Sequence, residues 1–562
     1  MRLQLQKRSH FVRMGGVILL ASCFRLFLLL NHWPQAQGDE SVMALMAWHI
    51  TVHGEHPVFF YGQFYMGALE AYLCAPLFWL FGPNMLLVRL LMLGIWIAFL
   101  LSMAWLTTLL YTRAFALAVI VLFSVGMVGT TLSGGGGYPE LPLLATLLFA
   151  LALRLAYMDV TSCPLSKRLL LFTLWGGIAG LALWTDLLIL PVLVTAGGML
   201  CCCCGSIRSR WRMNVGAWLC LVGGLVAGAS PLLWYNLTAA PGTTSWNALQ
   251  QQVSPTQAAH TISLMQRLGG AVVISVPTAT GANPLCAVNT GLPYLHSVLA
   301  FFTGINPHPL HCLLLQSTWS AGVFLCWGVA LFLALLGLWR MRSHRRERIQ
   351  QTGRTALLLC AALIFLPFAF STAPALFPNS LSRYLILFVV VLPAPLWPLW
   401  AGLSWMKMPM LRGKLMGGLC ITLLALVLAT YMRGTFPVVQ SLPQARSSYV
   451  QRQHLIADLL ARHITVFYSE YWTCNTLIFE SQERLICSNL QGEQLRPGQD
   501  RYLVYHDLVA HTTSPAYVFP VGSLEARGMD EHKIHLSSRY TRLLLDGCIV
   551  YAILPNNLSE NR

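Results

Sequence analysis

Six carboxylates carry most of the chemistry open to this sequence. Up to residue 433 the chain holds eight acidic residues, and two of them, Asp159 and Glu347, sit among basic residues. The other six are Asp39, Glu40, Glu55, Glu70, Glu140 and Asp186. They fall in loops, or at the ends of apolar runs, away from the basic clusters. Carboxylates near apolar surface are costly and are usually kept for function. Gathering them on one side of an apolar domain predicts a polar cavity there. Simple helix capping and loop solvation account for some of the same residues, and for Glu55 that plainer reading is preferred.

Gly38-Asp39-Glu40-Ser41 opens a helix expected over 40–53, where Val42, Leu45, Met46 and Ile50 share a face and Gly54 ends it. As an N-cap, Asp39 would accept backbone N–H groups, which favours its ionised form and orients it as a base. Ser133-Gly134-Gly135-Gly136-Gly137-Tyr138-Pro139-Glu140 is the second feature. Its glycines allow close backbone approach, and their N–H groups can form an anion-binding concavity; a plain flexible hairpin needs the same residues. Arg89 and Arg383, the latter followed by Tyr384, stand where basic residues are otherwise scarce. They invite a phosphate or carboxylate, or pair with one of the six acids. Asn236-Leu237-Thr238 matches a glycosylation sequon that also arises by chance.

The elements that must hold these residues are membrane helices. The chain of 562 residues is 56% hydrophobic and 10% charged, against about 25% charged in soluble domains. Spans of roughly 20 apolar residues are expected at 12–31, 85–110, 114–132, 141–158, 168–185, 187–205, 213–236, 316–340, 355–371, 383–402 and 413–432, about eleven by this count. The net charge of +16 is not a nucleic-acid signal. Twenty of the 36 Lys and Arg cluster in short segments between apolar runs, the positive-inside pattern. The pattern predicts a cytoplasmic N-terminus and an outward tail; the first span, which contains Arg25 and leads into a polar loop without a small-residue cleavage site, is expected to be retained as an anchor.

Residues 434–562 hold 12 of the 20 acidic residues and no long apolar run. The expected division is therefore an all-α membrane domain over 1–433 and a soluble α/β domain over 434–562. In the tail 446–462 reads as a helix, and Ile464–Tyr468, Arg484–Cys487, Tyr502–Tyr505 and Cys548–Leu554 read as strands. Two outer loops are long, His32–Asn84 and about 237–315. The first has no Lys or Arg and contains a short apolar segment, 66–81, fitting an interfacial helix. Cys286 and Cys312 share the second and are close enough in sequence to pair; Cys474, Cys487 and Cys548 leave the tail an odd number. No Walker A, Rossmann, HExxH or GxSxG motif occurs.

The order of these parts resembles the GT-C superfamily of membrane glycosyltransferases, whose relatives include protein O-mannosyltransferases and lipid A aminoarabinose transferases. The resemblance rests on Asp39-Glu40, Pro57 to Gly62, Leu80-Phe81-Gly82, Arg89, Tyr138-Pro139-Glu140, Pro231 to Asn236 and Arg383-Tyr384-Leu385, in that order, over about residues 10–432. The tail, with Tyr468 to Trp472 and Phe479 to Arg484, is similar to that of bacterial members without an assigned substrate. The resemblance implies transfer of a sugar from a polyprenyl phosphate to a lipid, glycan or protein acceptor on the outer side of a bacterial cell membrane, usually with inversion. It implies Asp39 as the base and Arg383, with Tyr384 and Arg89, at the donor phosphate. Glu40 and Glu140 would orient the acceptor or hold a divalent cation; Glu70 and Asn236 are further candidates. A transporter or flippase of a lipid-linked substrate would also need a polar cavity, but no inverted repeat or paired broken helix is evident. A non-catalytic scaffold leaves the acids unexplained.

Overall fold

The computed structural model describes residues 2–126, 132–158, 164–204, 211–253, 262–282, 310–340, 344–532 and 540–553. Cys286 and the Cys312 side chain lie outside the described residues, so their pairing does too. The chain forms two compact units. One comprises Met1–Phe24, Gly94–Thr131 and Tyr138–Val439; the other comprises Arg25–Leu93, Leu132–Gly137 and Gln440–Arg562. The second unit thus joins the tail to the first outer loop and the glycine run, which a division at residue 433 would have parted.

Eight described helices are long and apolar enough to cross a membrane, and a ninth span arises if a bent pair, Val215–Gly228 with Ser230–Thr238, counts as one. Two more of the expected eleven, at 114–132 and 187–205, are present as the shorter apolar helices Arg113–Val125 and Leu187–Cys203. The chain is an integral membrane protein. Asp186 marks the break between two of these helices. It follows Thr185, and its carboxylate accepts the Leu188 N–H at 2.8 Å to start a new turn.

In the first unit, Leu165–Thr185 packs against Trp211–Gly228 through glycine. A Cβ on Gly176 or Gly180 would meet the carbonyl of Leu221 or Leu225 at 2.0 and 2.1 Å. Gly224 and Gly228 face Thr173 and Gly177 with the same lack of room. Small residues let membrane helices approach closely where no hydrophobic force drives them together.

The second unit contains a six-stranded mixed sheet in the order β3-β2-β1-β4-β6-β5. The strands are β1 Val466–Ser469, β2 Ile486–Gln491, β3 Arg496–Pro497, β4 Ala516–Pro520, β5 Thr541–Leu545 and β6 Cys548–Ala552. β1 runs parallel to β2 and β4, with helices as crossovers, and the outer pairings are antiparallel. A disulfide joins Cys474 on the Tyr471–Glu480 helix to Cys487 on β2. Residues Tyr502–Tyr505, expected as a strand, instead begin the helix Leu503–Ala510. Tyr505 and Val509 are its buried pair, while Leu503, Val504 and Leu508 are exposed. That is a helical i, i+4 stripe, which a four-residue window cannot distinguish from a strand.

The outer loop supplies Gly38–Val52, which is buried on all sides from Glu40 to Ala47 and again at His49, and the helix Leu69–Phe81 with Pro76 inside it. His49 ties this loop to the tail. Its Nε2 lies 3.2 Å from Glu483 Oε1 and 3.0 Å from the Tyr505 hydroxyl, and its Nδ1 lies 2.9 Å from the Tyr61 hydroxyl. Glu55 accepts hydrogen bonds from Tyr61 at 2.5 Å and Tyr502 at 2.6 Å, so it is not the merely solvated loop acid expected. Trp48 donates to Glu483 at 3.0 Å.

These contacts make part of the fold acid-labile. Burial alone would raise Glu55, but the Tyr502 and Tyr61 hydroxyls and nearby His49 outweigh it and hold its pKa below 4.5. Glu483 is held below 4.5 chiefly by its bond to His49, against the cost of burial. Carboxylates depressed in the folded state stabilise it fully above their unfolded value and lose that contribution as the pH falls through the folded one. Thermal unfolding of the purified protein, followed by tryptophan fluorescence, should therefore show Tm falling below about pH 4.5. In the Glu55→Gln/Glu483→Gln variant Tm should be lower at pH 7 and the acid-dependent part of the fall smaller. An identical acid profile in that variant would remove these two groups from the stability of the unit.

Candidate functional site

Asp39 and Glu40 are adjacent in sequence, and the second unit gives them opposite surroundings. The helix begins at Gly38, its N-cap is Gln37, and no side chain caps it. Asp39 is therefore in the first turn and is not the N-cap expected. Its Oδ1 accepts the Tyr471 hydroxyl at 2.6 Å and lies 3.7 Å from Arg501 Nη2. Arg501 Nε in turn donates to the Tyr471 oxygen at 2.9 Å. In the amide orientation that satisfies both partners, Gln63 accepts from Arg501 at 3.0 and 3.2 Å. The arginine also lies 5.0 Å from the Phe60 ring centre. The outer loop has no Lys or Arg, yet the fold brings an arginine from the tail to Asp39.

Local chemistry places Tyr471. Glu470 caps its helix by accepting the N–H groups of Trp472 at 2.7 Å and Thr473 at 2.6 Å. A Cβ on Gly38 would lie 2.9 Å from the Tyr471 ring, so the glycine before Asp39 makes room for it. Asp39 remains partly accessible, its side chain 18% exposed, whereas that of Glu40 is 0% exposed.

Glu40 is saturated. Arg89 donates to both of its oxygens, Nε at 3.0 Å and Nη2 at 2.8 Å, and the Gly134 N–H is 3.4 Å from Oε1. Of the two readings open to Arg89, the structure shows pairing with a carboxylate. Glu70, also buried, accepts the Gly135 N–H at 3.0 Å on each oxygen. The glycine run thus forms an anion cradle, and the anions it touches are the protein's own carboxylates. Gly135 has φ of 121°, and a Cβ on Gly134 would sit 2.1 Å from Glu70 Oε1, so neither position admits a larger residue without rearrangement.

The remaining predicted residues belong to the first unit. Glu140 opens the helix Glu140–Tyr157 and is buried, and neither of its oxygens has a hydrogen-bond partner among the described residues. Arg383 lies in the short turn Ser380–Leu385, exposed, with its guanidinium 5.2 Å from the centre of the Tyr138 ring and 6.0 Å from that of Tyr384. It interacts electrostatically with Asp186. Tyr138, Tyr384, Arg383 and Asp186 are thus brought together from segments nearly 250 residues apart in sequence. Asn236 is structural in its contacts: its amide donates to Leu232 and Ser245 and accepts the Ser245 N–H at 2.9 Å, closing the loop after its helix.

Among the described residues, no three His, Cys, Asp or Glu side chains gather as a metal ligand set. Glu40, one of the two expected ligands, already has a guanidinium on both oxygens. The described side chains around it do not fit a divalent cation. Sequence reasoning missed Tyr471 and Arg501 as partners of Asp39, and Gln63 as the partner of Arg501. Their types signal nothing by themselves, and Tyr471 and Arg501 lie more than 400 residues from Asp39 in sequence.

No protein-family model and no curated protein matches this chain. Solved structures do. ArnT from Cupriavidus metallidurans bound to undecaprenyl phosphate superposes with a TM-score of 0.57 at 13% identity, covering 97% of this chain and 98% of that one. The apo form of the same protein gives 0.52 at 12% identity, covering 98% of each chain. The Archaeoglobus fulgidus oligosaccharyltransferase in complex with Zn and sulfate gives 0.51 at 12% identity, covering 96% of this chain and 74% of that one. At such identities the likeness is one of fold: helices and tail together, the chain has the GT-C fold of these membrane glycosyltransferases.

Proposed function

We propose that the protein is a glycosyltransferase that moves a sugar from a polyprenyl-phosphate donor to an acceptor hydroxyl on the outer side of the cell membrane, with inversion. The observation that carries this reading is Asp39, an accessible carboxylate oriented by Tyr471 and Arg501 on a GT-C fold. The undecaprenyl phosphate bound by the ArnT neighbour supports the donor class.

In the proposed reaction Asp39 takes the proton of the acceptor hydroxyl as its oxygen attacks the anomeric carbon. The bond from that carbon to the phosphate oxygen breaks, and the electron pair leaves with the phosphate. A phosphate departs as an anion without prior protonation, so one base suffices where a glycosidase needs two carboxyl groups. Arg383 meets the developing phosphate charge, with Tyr138 and Tyr384 as the aromatic surface that steadies its guanidinium. Tyr471 and Arg501 are positioning residues that aim the Asp39 carboxylate. Glu40 and Glu70 act through the fold, holding the Asp39 helix and the glycine run. Glu140 is assigned to the acceptor, since a buried carboxylate without a hydrogen-bond partner among the described residues can take a hydroxyl. No step is routed through a metal.

An outward-facing tail is part of this proposal. The alternation of basic segments supports it, as does the Cys474–Cys487 disulfide, since such bonds persist in oxidising compartments. A cysteine reporter at Ser523 should react with an impermeant maleimide in intact cells. Reaction only after the membrane is breached would place the tail inside and end the outward reading.

Asp39→Asn keeps size and removes basicity. Transfer from a polyprenyl-phosphate sugar by the purified variant should fall about 100-fold or more, with donor binding and Tm near those of the wild type. Undiminished transfer would take Asp39 out of the chemistry. Arg383→Lys keeps the charge but loses the planar fork that matches phosphate. Donor affinity should drop by about tenfold, equivalent to about 1.4 kcal/mol. An unchanged donor Kd in this variant would remove Arg383 from the phosphate.

A further inference from the structure

The second unit contains a cavity that the transfer chemistry does not use. It has a volume of about 210 Å³, and its lining includes Leu29, Leu30, His32, Arg89, Tyr449 and Arg452. Its floor is apolar and lies at the ends of two candidate spans. Leu29 and Leu30 end one, and Met85 and Leu86 begin another. Its walls are basic and aromatic. The His32 ring stacks on Tyr449 with centres 3.8 Å apart and planes 8° from parallel.

Both arginines of the lining are held along one edge only. Arg452 uses Nε and Nη2 on Glu480, the Nη2 contact being 2.9 Å. Arg89 uses Nε and Nη2 on Glu40. A guanidinium has five N–H donors, so each arginine keeps its Nη1 pair, for which the described residues provide no hydrogen-bond partner. The carboxylates fix the forks rather than consuming them. The local field stays positive despite Glu480. Burial first, and then Arg89, Arg446 and Arg452, lower the pKa of His32, while Glu480 acts in the opposite sense. Asn84 starts the Met85–Leu110 helix by accepting the Leu86 N–H at 2.8 Å, which adds a helix N-terminus to the cavity rim.

A pocket with pre-oriented guanidinium groups above and leucines at span ends below matches an anion that is attached to an apolar chain. We propose that this cavity binds the phosphate headgroup of an anionic membrane lipid, with Arg452 and Arg89 on the phosphate and Leu29, Leu30, Met85 and Leu86 under the first carbons of its chains. A free phosphate shares the headgroup chemistry but has no use for the apolar floor. The proposal does not depend on glycosyl transfer, whose donor phosphate is assigned to Arg383.

The test uses the full chain in nanodiscs of phosphatidylcholine containing a minor fraction of phosphatidylglycerol, with bound lipid read by native mass spectrometry. Wild-type protein should retain phosphatidylglycerol over phosphatidylcholine by about tenfold. The Arg452→Gln/Glu480→Gln variant replaces a half-buried ion pair by two neutral amides and leaves the net charge unchanged. It should lose the preference while its Tm stays close to that of the wild type. Arg446→Gln, at an exposed position, should weaken the preference about two- to threefold and serves as a second variant if the first fails to fold. Equal retention of the two lipids by the wild type would overturn the proposal, and so would an undiminished preference in either variant. Full displacement of phosphatidylglycerol by millimolar inorganic phosphate would make this a free-phosphate site and overturn the lipid assignment.

Discussion

The buried pair of Glu40 and Arg89 is the constraint around which the second unit is arranged. An ionised carboxylate with no exposure costs several kcal/mol unless it is paired and hydrogen-bonded. Glu40 meets that demand with both guanidinium contacts of Arg89 and the Gly134 N–H. Each contact fixes something else. Arg89 sets the start of the Met85–Leu110 helix against the Gly38–Val52 helix, and Gly134 brings the glycine run close enough for Gly135 to hold Glu70. One acid in the first turn of a short helix thus sets the register of three segments. Removing a single partner of such a pair is worse than removing both, because it strands the other charge.

Against this closed arrangement, Asp39 keeps a partly accessible carboxylate. It differs from its neighbour by one residue, which on a helix is a rotation of about 100°. That rotation carries it from the buried side, where Glu40 meets Arg89, to the side reached by Tyr471 and Arg501. Its partners hold it without enclosing it. The tail is therefore not an appendage in this reading: Glu470 caps the helix that presents Tyr471, and the sheet below positions that helix. The same tail supplies Tyr449 and Arg452 to the basic cavity and Glu483 and Tyr505 to the His49 network.

Much of this protein was determined by its sequence alone. Its class and the approximate positions of its apolar helices follow from hydropathy, because backbone in a membrane must be hydrogen-bonded internally and a helix meets that demand locally. The strands β1, β2 and β6 could be read near their observed positions. The order of Asp39-Glu40, Tyr138-Pro139-Glu140 and Arg383-Tyr384 was enough to suggest the GT-C fold found in the structure.

What the tertiary structure alone decided is which charge meets which. Arg89 had a phosphate and a carboxylate open to it, and only the fold shows that Glu40 takes its Nε and Nη2 edge. The glycine run reads equally well as hairpin or cradle until Glu70 appears in it. Arg501 and Tyr471 carry no sequence signal because their partner is more than 400 residues away. The helix at Leu503–Ala510 declares itself only when Tyr505 and Val509 are seen to be buried on one side. Electrostatic and hydrogen-bond partners are chosen at distances of about 3 Å, and chain folding alone determines which residues come that close.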